Sequence, residues 1–226
     1  MKNNQELQKD VQNAIKWEPL LSAAEIGVTV KDGVVSLTGV VDSYAKKMEA
    51  ENAAKKVVGV KALVEKIEVK FPSSWSKTDA EIAHEVLTSL KNNWLVANDK
   101  IKIKVEDGWV TLEGELSWNY QREAAKNAVD YLSGVKGIVN KIVIRSESND
   151  LIEKKDVQSA LRRSSIDDSE INVSVSGTTV LLSGKVNSWY QKEEAGRIAW
   201  KVSGIWHVKN ELAVDYEYAE VQNCVY

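Results

Sequence analysis

Residues that carry chemistry are scarce in this chain. One cysteine, two histidines, two prolines and a single phenylalanine are found among 226 residues. With Cys224 alone, neither a disulfide framework nor a cysteine zinc site forms within one chain. Two histidines leave little for a histidine metal centre. A basic surplus is absent too. The 30 basic and 33 acidic residues give a formal charge of −3, which argues against a dedicated nucleic-acid binder. No apolar run reaches the roughly 18 residues that a bilayer-spanning helix needs. The longest charge-free stretch, Ile171 to Gly184, alternates with Ser, Asn and Thr and reads as two strands. The opening Met1-Lys2-Asn3-Asn4-Gln5-Glu6 has no apolar segment after it and is not a secretory signal. The expected compartment is the cytoplasm, with the periplasm expected only for a chain that has lost a leader. What remains, at 43% hydrophobic and 28% charged residues, is an ordinary globular composition.

The organisation comes from an internal repeat. Gly39, Gly114 and Gly184 set its register. Twenty residues after each stands a second glycine before a β-branched residue: Gly59-Val60, Gly134-Val135 and Gly204-Ile205. Thirteen residues before each begins an alternating strand: Ile26-x-Val28-x-Val30, Ile101-x-Ile103-x-Val105 and Ile171-x-Val173-x-Val175. The turns Asp32-Gly33, Asp107-Gly108 and Ser176-Gly177 lead into a second alternating strand that runs through the first glycine. Alternation on both sides of a glycine turn predicts a hairpin.

A helical pattern precedes each hairpin, as in Leu7, Val11, Ile15 and Ile82, Val86, Leu90. Another follows it, with one apolar face: Ala50, Ala53, Ala54, Val57; Ala125, Ala128, Val129, Leu132; Ala195, Ile198, Ala199, Val202. Ser43 and Ser188 are placed to cap these second helices, Ser188 with Gln191 as a capping box, and the second glycines suit a C′ position. A last strand closes each unit at Ile67, Val69; Ile142, Ile144; and Leu212, Val214. The predicted class is α+β, with three tandem α-β-β-α-β units, each a three-stranded mixed sheet covered by two helices. The expected domains are 1–72, 73–147 and 148–226. Short connectors join them at Phe71–Ser76 and Ser146–Asp150. The strand glycine is expected to make room for a close-packed helix or a bulge.

This pattern resembles the BON domain, a family named for bacterial osmotically inducible and nodulation proteins. The resemblance is carried by the strand glycine and by the Gly-Val segments, which read Gly134-Val135-Lys136-Gly137-Ile138-Val139-Asn140-Lys141-Ile142 and Gly204-Ile205-Trp206-His207-Val208-Lys209-Asn210-Glu211-Leu212. The stretch Gly108–Arg122 is similar to the middle unit of bacterial proteins with three such domains. The resemblance covers nearly the whole chain. It implies a non-enzymatic binding module, associated with osmotic and envelope stress and with attachment to phospholipid or a membrane surface. It implies no cofactor.

The residues agree in offering little catalysis. His84 and His207 occupy non-equivalent repeat positions, and a metal site needs at least three convergent ligands. The acidic pairs Glu193-Glu194 and Asp167-Asp168 do not recur, and Cys224 stands in a tail with no histidine nearby in sequence. No catalytic, cofactor or metal residues are expected.

The aromatics are more telling, since eight tryptophans against one phenylalanine is an unusual ratio. Trp118 and Tyr120 lie between second strand and second helix in unit two, Trp189 and Tyr190 in unit three, and Tyr44 in unit one. Such side chains suit packing between units, protein contact or lipid contact. Lys100, Lys102 and Lys104 alternate with apolar residues and are expected on one sheet face; Lys46-Lys47 begin a helix. The expected contact residues for a ligand or membrane are therefore Lys46, Lys47, Lys100, Lys102, Lys104, Trp118, Tyr120, Trp189 and Tyr190. The expected partners are anionic phospholipid or another protein. A chaperone-like scaffold and an ion or small-ligand sensor are the alternatives, and the oligomeric state is not legible.

Overall fold

The computed structural model describes residues 3–72, 77–145, 154–164 and 166–215. Repeat one runs α1 (Asn4–Trp17), β1 (Ile26–Lys31), β2 (Val34–Val41), α2 (Tyr44–Lys55) and β3 (Ala62–Val69). Repeat two runs α3 (Asp79–Asn92), β4 (Ile101–Glu106), β5 (Trp109–Leu116), α4 (Asn119–Asp130) and β6 (Gly137–Ile144). Repeat three runs α5 (Lys154–Arg162), β7 (Ile171–Ser176), β8 (Thr179–Val186), α6 (Trp189–Ala199), β9 (His207–Asn210) and β10 (Ala213–Val214). Much of the Phe71–Ser76 connector, all of Ser146–Asp150, and Cys224 lie outside the described residues.

Each sheet is built around its second strand. β1-β2-β3 and β4-β5-β6 are three-stranded, and β8 has β7 on one side with β9 and β10 on the other. The hairpins are antiparallel, from Ile101↔Gly114 to Glu106↔Trp109 in repeat two. The closing strand returns parallel, Trp109↔Gly137 through Leu116↔Ile144, which requires the intervening α4 as a crossover. In repeat three the closing strand is interrupted at Glu211-Leu212, yet Glu211 still donates its N–H to the Leu182 carbonyl at 2.8 Å. Asp32 and Asp107 share positive φ with Gly33 and Gly108, the I′ geometry of a two-residue hairpin. The third turn falls one residue later than expected, at Gly177-Thr178, between the paired Ser176 and Thr179.

The helices lie on one side of each sheet because each has one apolar stripe. In repeat three Val157 and Leu161 of α5 and Ala195, Ile198 and Ala199 of α6 close over Val173, Val180, Leu182 and Val186. The same positions are buried in the other repeats, among them Leu37, Leu112, Leu116 and Ile144. A fully buried Leu or Ile contributes about 1.5–3 kcal/mol. Capping boxes are found on first helices, Asn3 with Glu6 and Thr78 with Glu81.

Three local expectations change. Ser188 does accept from the Gln191 N–H, but the Gln191 side chain accepts from Asn187 at 2.9 Å, one residue earlier than a capping box requires. The second helices end at Lys55, Asp130 and Ala199, so Gly59, Gly134 and Gly204 lie beyond a further turn rather than at C′. Their positive φ turns Val60, Val135 and Ile205 into the core. The strand glycines serve neither a helix nor a bulge. Pairing continues through Gly184, with Lys185 donating to the Glu170 carbonyl at 3.2 Å. Gly39, Gly114 and Gly184 have φ of 142°, 154° and 115°, and a Cβ there would overlap the carbonyl oxygen of Glu25, Lys100 and Glu170 respectively.

The chain divides into two compact units, one formed by Met1–Gly39, Glu49–Lys66 and Ser148–Tyr226, the other by Val40–Met48 and Ile67–Glu147. Chain from repeat one thus enters both units.

Because the obstacle at Gly114 is backbone, Gly114→Ala is expected to lose most of what a bulkier residue loses, about 1–3 kcal/mol. Chemical denaturation of Gly114→Ala and Gly114→Val checks this. A mild alanine and a severe valine would instead indicate side-chain overpacking.

Candidate interaction surface

The junction in repeat two grows out of the end of β5. Ser117 and Trp118 leave the sheet, and Trp118 becomes the N-cap of α4, its N–H donating to the Gln121 side chain at 3.2 Å. Asn119 is buried, so Trp118 and Tyr120 on either side of it turn outward. Their rings stack with centroids 6.4 Å apart and an interplanar angle of 26°. They remain 36% and 53% exposed, an aromatic pair open to water.

The register brings cations to the same end of the sheet. Ile101 pairs with Gly114, so β4 begins where β5 is about to end. Lys100 lies just before it, in a 3₁₀ turn (Asn98–Lys100) rather than on the strand as expected. Lys102 and Lys104 are exposed on the helix-free face of β4. Arg145 donates its N–H to the Leu116 carbonyl at 2.8 Å, which brings a further cation to that end. Glutamates interleave: Glu113 is paired across β4 with Lys102 and meets Lys141 at 3.3 Å, Glu106 meets Lys104 at 2.9 Å, and Glu115 meets Arg145 at 3.5 Å. The face is a charge ladder with a local cationic end.

The other expected contact lysines are engaged inside repeat one. Lys46 pairs with Asp42 at 2.9 Å, and the Lys47 ammonium donates to the Ile67 carbonyl at 3.0 Å. Repeat three repeats the junction with different surroundings. Tyr190 is exposed, but Trp189 is half-buried, with the Lys55 ammonium 5.9 Å from its ring centroid. Lys55 also lies 2.9 Å from Glu51 and 2.8 Å from Glu193. Burial lowers the Lys55 pKa, but the hydrogen bonds to Glu193 and Glu51 outweigh it and hold the ammonium above its ordinary value. Burial also lowers Arg122, partly offset by Glu123, while Glu194 is lowered by its hydrogen bond with Arg197.

Sequence reading passed over several residues. Asp130, 2% exposed, is held by Lys126 at 2.9 Å, and Lys126 also lies 3.4 Å from the Met48 sulfur. Their spacing of four on a helix is the available signal. Trp17, the last residue of α1, and Trp94, just after α3, stand 84% and 89% exposed. The Trp109 ring occupies the place a Cβ on Gly137 would take, and borders an open cleft of about 690 Å³ with Lys47, Val69, Phe71 and Lys136. Among the described residues, no group of three or more His, Cys, Asp or Glu is arranged to hold a metal ion, and no helix is long and apolar enough to cross a membrane.

Three two-layer α+β repeats, open on one sheet face and carrying their outward aromatics at strand-to-helix junctions, define a tandem array of small modules. A BON domain model matches residues 3–70, 78–146 and 149–216, and the chain belongs to the BON domain family. It is 28% identical over 124 residues to Osmotically-inducible protein Y of Escherichia coli (strain K12), covering 53% of this chain and 62% of that protein. The match thus spans about three-fifths of the relative's length. Among solved structures it is similar to CdsD, a structural protein of the Type III secretion system of Chlamydia trachomatis, at 19% identity and a TM-score of 0.27, covering 96% of this chain and 97% of that one. The C-terminal domain of CdsD gives 18% identity and a TM-score of 0.25, covering 95% and 100%. Likeness at that level carries no argument about this chain.

Lys126→Met would leave the buried Asp130 carboxylate without its cation. It is expected to cost about 3–5 kcal/mol, and adding Asp130→Asn should restore part of the loss. Thermal denaturation of the single and double variants checks both.

Proposed function

We propose that this chain is a non-enzymatic BON-domain protein of the osmotic and envelope stress response that associates with anionic phospholipid surfaces, with repeat two as the contact. Its modules are the segments 1–72, 73–147 and 148–226. The stress assignment is supported by the family and by the name of the Escherichia coli relative. The surface assignment rests on one observation above the rest. Trp118 and Tyr120 are stacked and exposed at the sheet end where Lys100, Lys102 and Arg145 converge. Indole and phenol rings settle at a headgroup boundary, apolar body inward and polar tip outward. Each lysine near an anionic surface adds about 1 kcal/mol. Glutamates are interleaved with these cations, so binding is weak and salt-sensitive. A second reading, a protein-interaction scaffold, is favoured by the exposure of Trp17 and Trp94, since large exposed aromatics are typical of interface anchors.

The test is co-sedimentation of the full chain with phosphatidylglycerol-containing vesicles and with pure phosphatidylcholine vesicles, across a salt series. Binding only to the anionic vesicles, lost at high salt, is the expected result. Trp118→Ala with Tyr120→Ala should weaken it about tenfold or more. Equal sedimentation of wild type with and without vesicles would favour the scaffold reading. Unchanged binding by the double variant would remove the aromatic pair from the account.

A further inference from the structure

The second helices carry a recurring feature that the membrane reading does not use. Near the end of α2, Glu51 and Lys55 form an ion pair four residues apart at 2.9 Å. At the matching place on α4 the signs are reversed: Lys126 and Asp130 pair at 2.9 Å. In both cases the lysine also touches a side chain of another repeat. Lys126 meets Met48 of repeat one at 3.4 Å. Lys55 meets Glu193 of repeat three at 2.8 Å, across 138 positions of sequence, and lies over the Trp189 ring. Lys55, within Glu49–Lys66, and Glu193, within Ser148–Tyr226, belong to the same compact unit.

We propose that Lys55, Glu193 and Trp189 form a salt-released latch that holds repeat one against repeat three and covers Trp189. The chemistry of the contact gives it that property. Lys55 is mostly enclosed, with its side chain 17% exposed, but Glu193 is 50% exposed, so mobile ions reach one partner of the pair. Raising salt from about 0.01 M to 1 M shortens the Debye length from about 30 Å to about 3 Å. The cation–π contact weakens along with the ion pair, because both depend on the same ammonium. A released Lys55 keeps Glu51 as its partner on α2, so opening leaves no bare cation in repeat one, and Glu193, already 50% exposed, is left to water. Trp189 then becomes as open as Trp118 at the equivalent junction. The latch is independent of what the junction aromatics bind.

Energy transfer within the full chain tests it. Dyes are placed at Gln12→Cys on α1 and Lys209→Cys on β9, both exposed positions, with Cys224→Ser to keep the labels unique. Efficient transfer in low salt, falling by at least half in 1 M NaCl, is expected. Glu193→Lys should reduce transfer by a similar fraction already in low salt. Exchanging the charges, Lys55→Glu with Glu193→Lys, should restore it, which loss of folding in a single variant does not permit. Should Glu193→Lys unfold repeat three by circular dichroism, Glu193→Gln supplies the same comparison. Transfer that ignores salt in the wild type, or a charge exchange that fails to restore it, would overturn the latch.

Discussion

The middle strand of each sheet passes through one positive-φ glycine, and the rest of the repeat is hung from that strand. β2, β5 and β8 each hold an antiparallel neighbour on one side and a returning neighbour on the other. At Gly39, Gly114 and Gly184 the backbone adopts positive φ while pairing continues, with the carbonyl of the residue before the first strand standing where a Cβ would be. Only glycine allows that approach. The ladder is thereby kept past the glycine, and the strand is delivered to the start of the second helix. The junction aromatics follow within a few residues: Tyr44, Trp118 and Trp189.

One fold repeated three times does not give three equal surfaces. The cores are interchangeable in pattern, Val-Leu-Val or Val-Leu-Leu on the central strand under an alanine-rich helix. The outward positions are not. Trp118 stacks on Tyr120 and faces water, whereas Trp189 faces a lysine from another repeat. The ion pair that ends α2 is reversed in sign on α4. Inward positions are held by packing, so they repeat; outward positions are free to specialise. A tandem array of this kind gains function through what differs on its helices and junctions.

Electrostatics here is local. The chain is near neutral, and its exposed lysines are interleaved with glutamates along the open face of repeat two. Such a ladder supports solubility and guards the β4 edge more than it attracts a partner. Lys100, Lys102 and Arg145 stand at the end of that sheet, and Lys55 is enclosed against a tryptophan.

Much of the architecture was legible because it is written in short-range periodicity. Alternating Ile101, Ile103 and Val105, the glycine turns, and the four-residue spacing of Leu7, Val11 and Ile15 each report a local backbone state. Their threefold recurrence determined the α-β-β-α-β unit and the family. Finer local features were harder to read. The shift of the capping glutamine to Asn187, the turn at Gly177-Thr178 and the carbonyl over Gly114 depend on φ and ψ values that several sequences satisfy. The site was legible only as a set of candidates. That Trp189 meets Lys55, which lies 134 residues before it in the chain, is written in no local pattern. Sequence determines which residues face the core, since burial follows the period of the element. Tertiary structure alone decides which outward residues meet, because those contacts join segments with no periodic relation to one another.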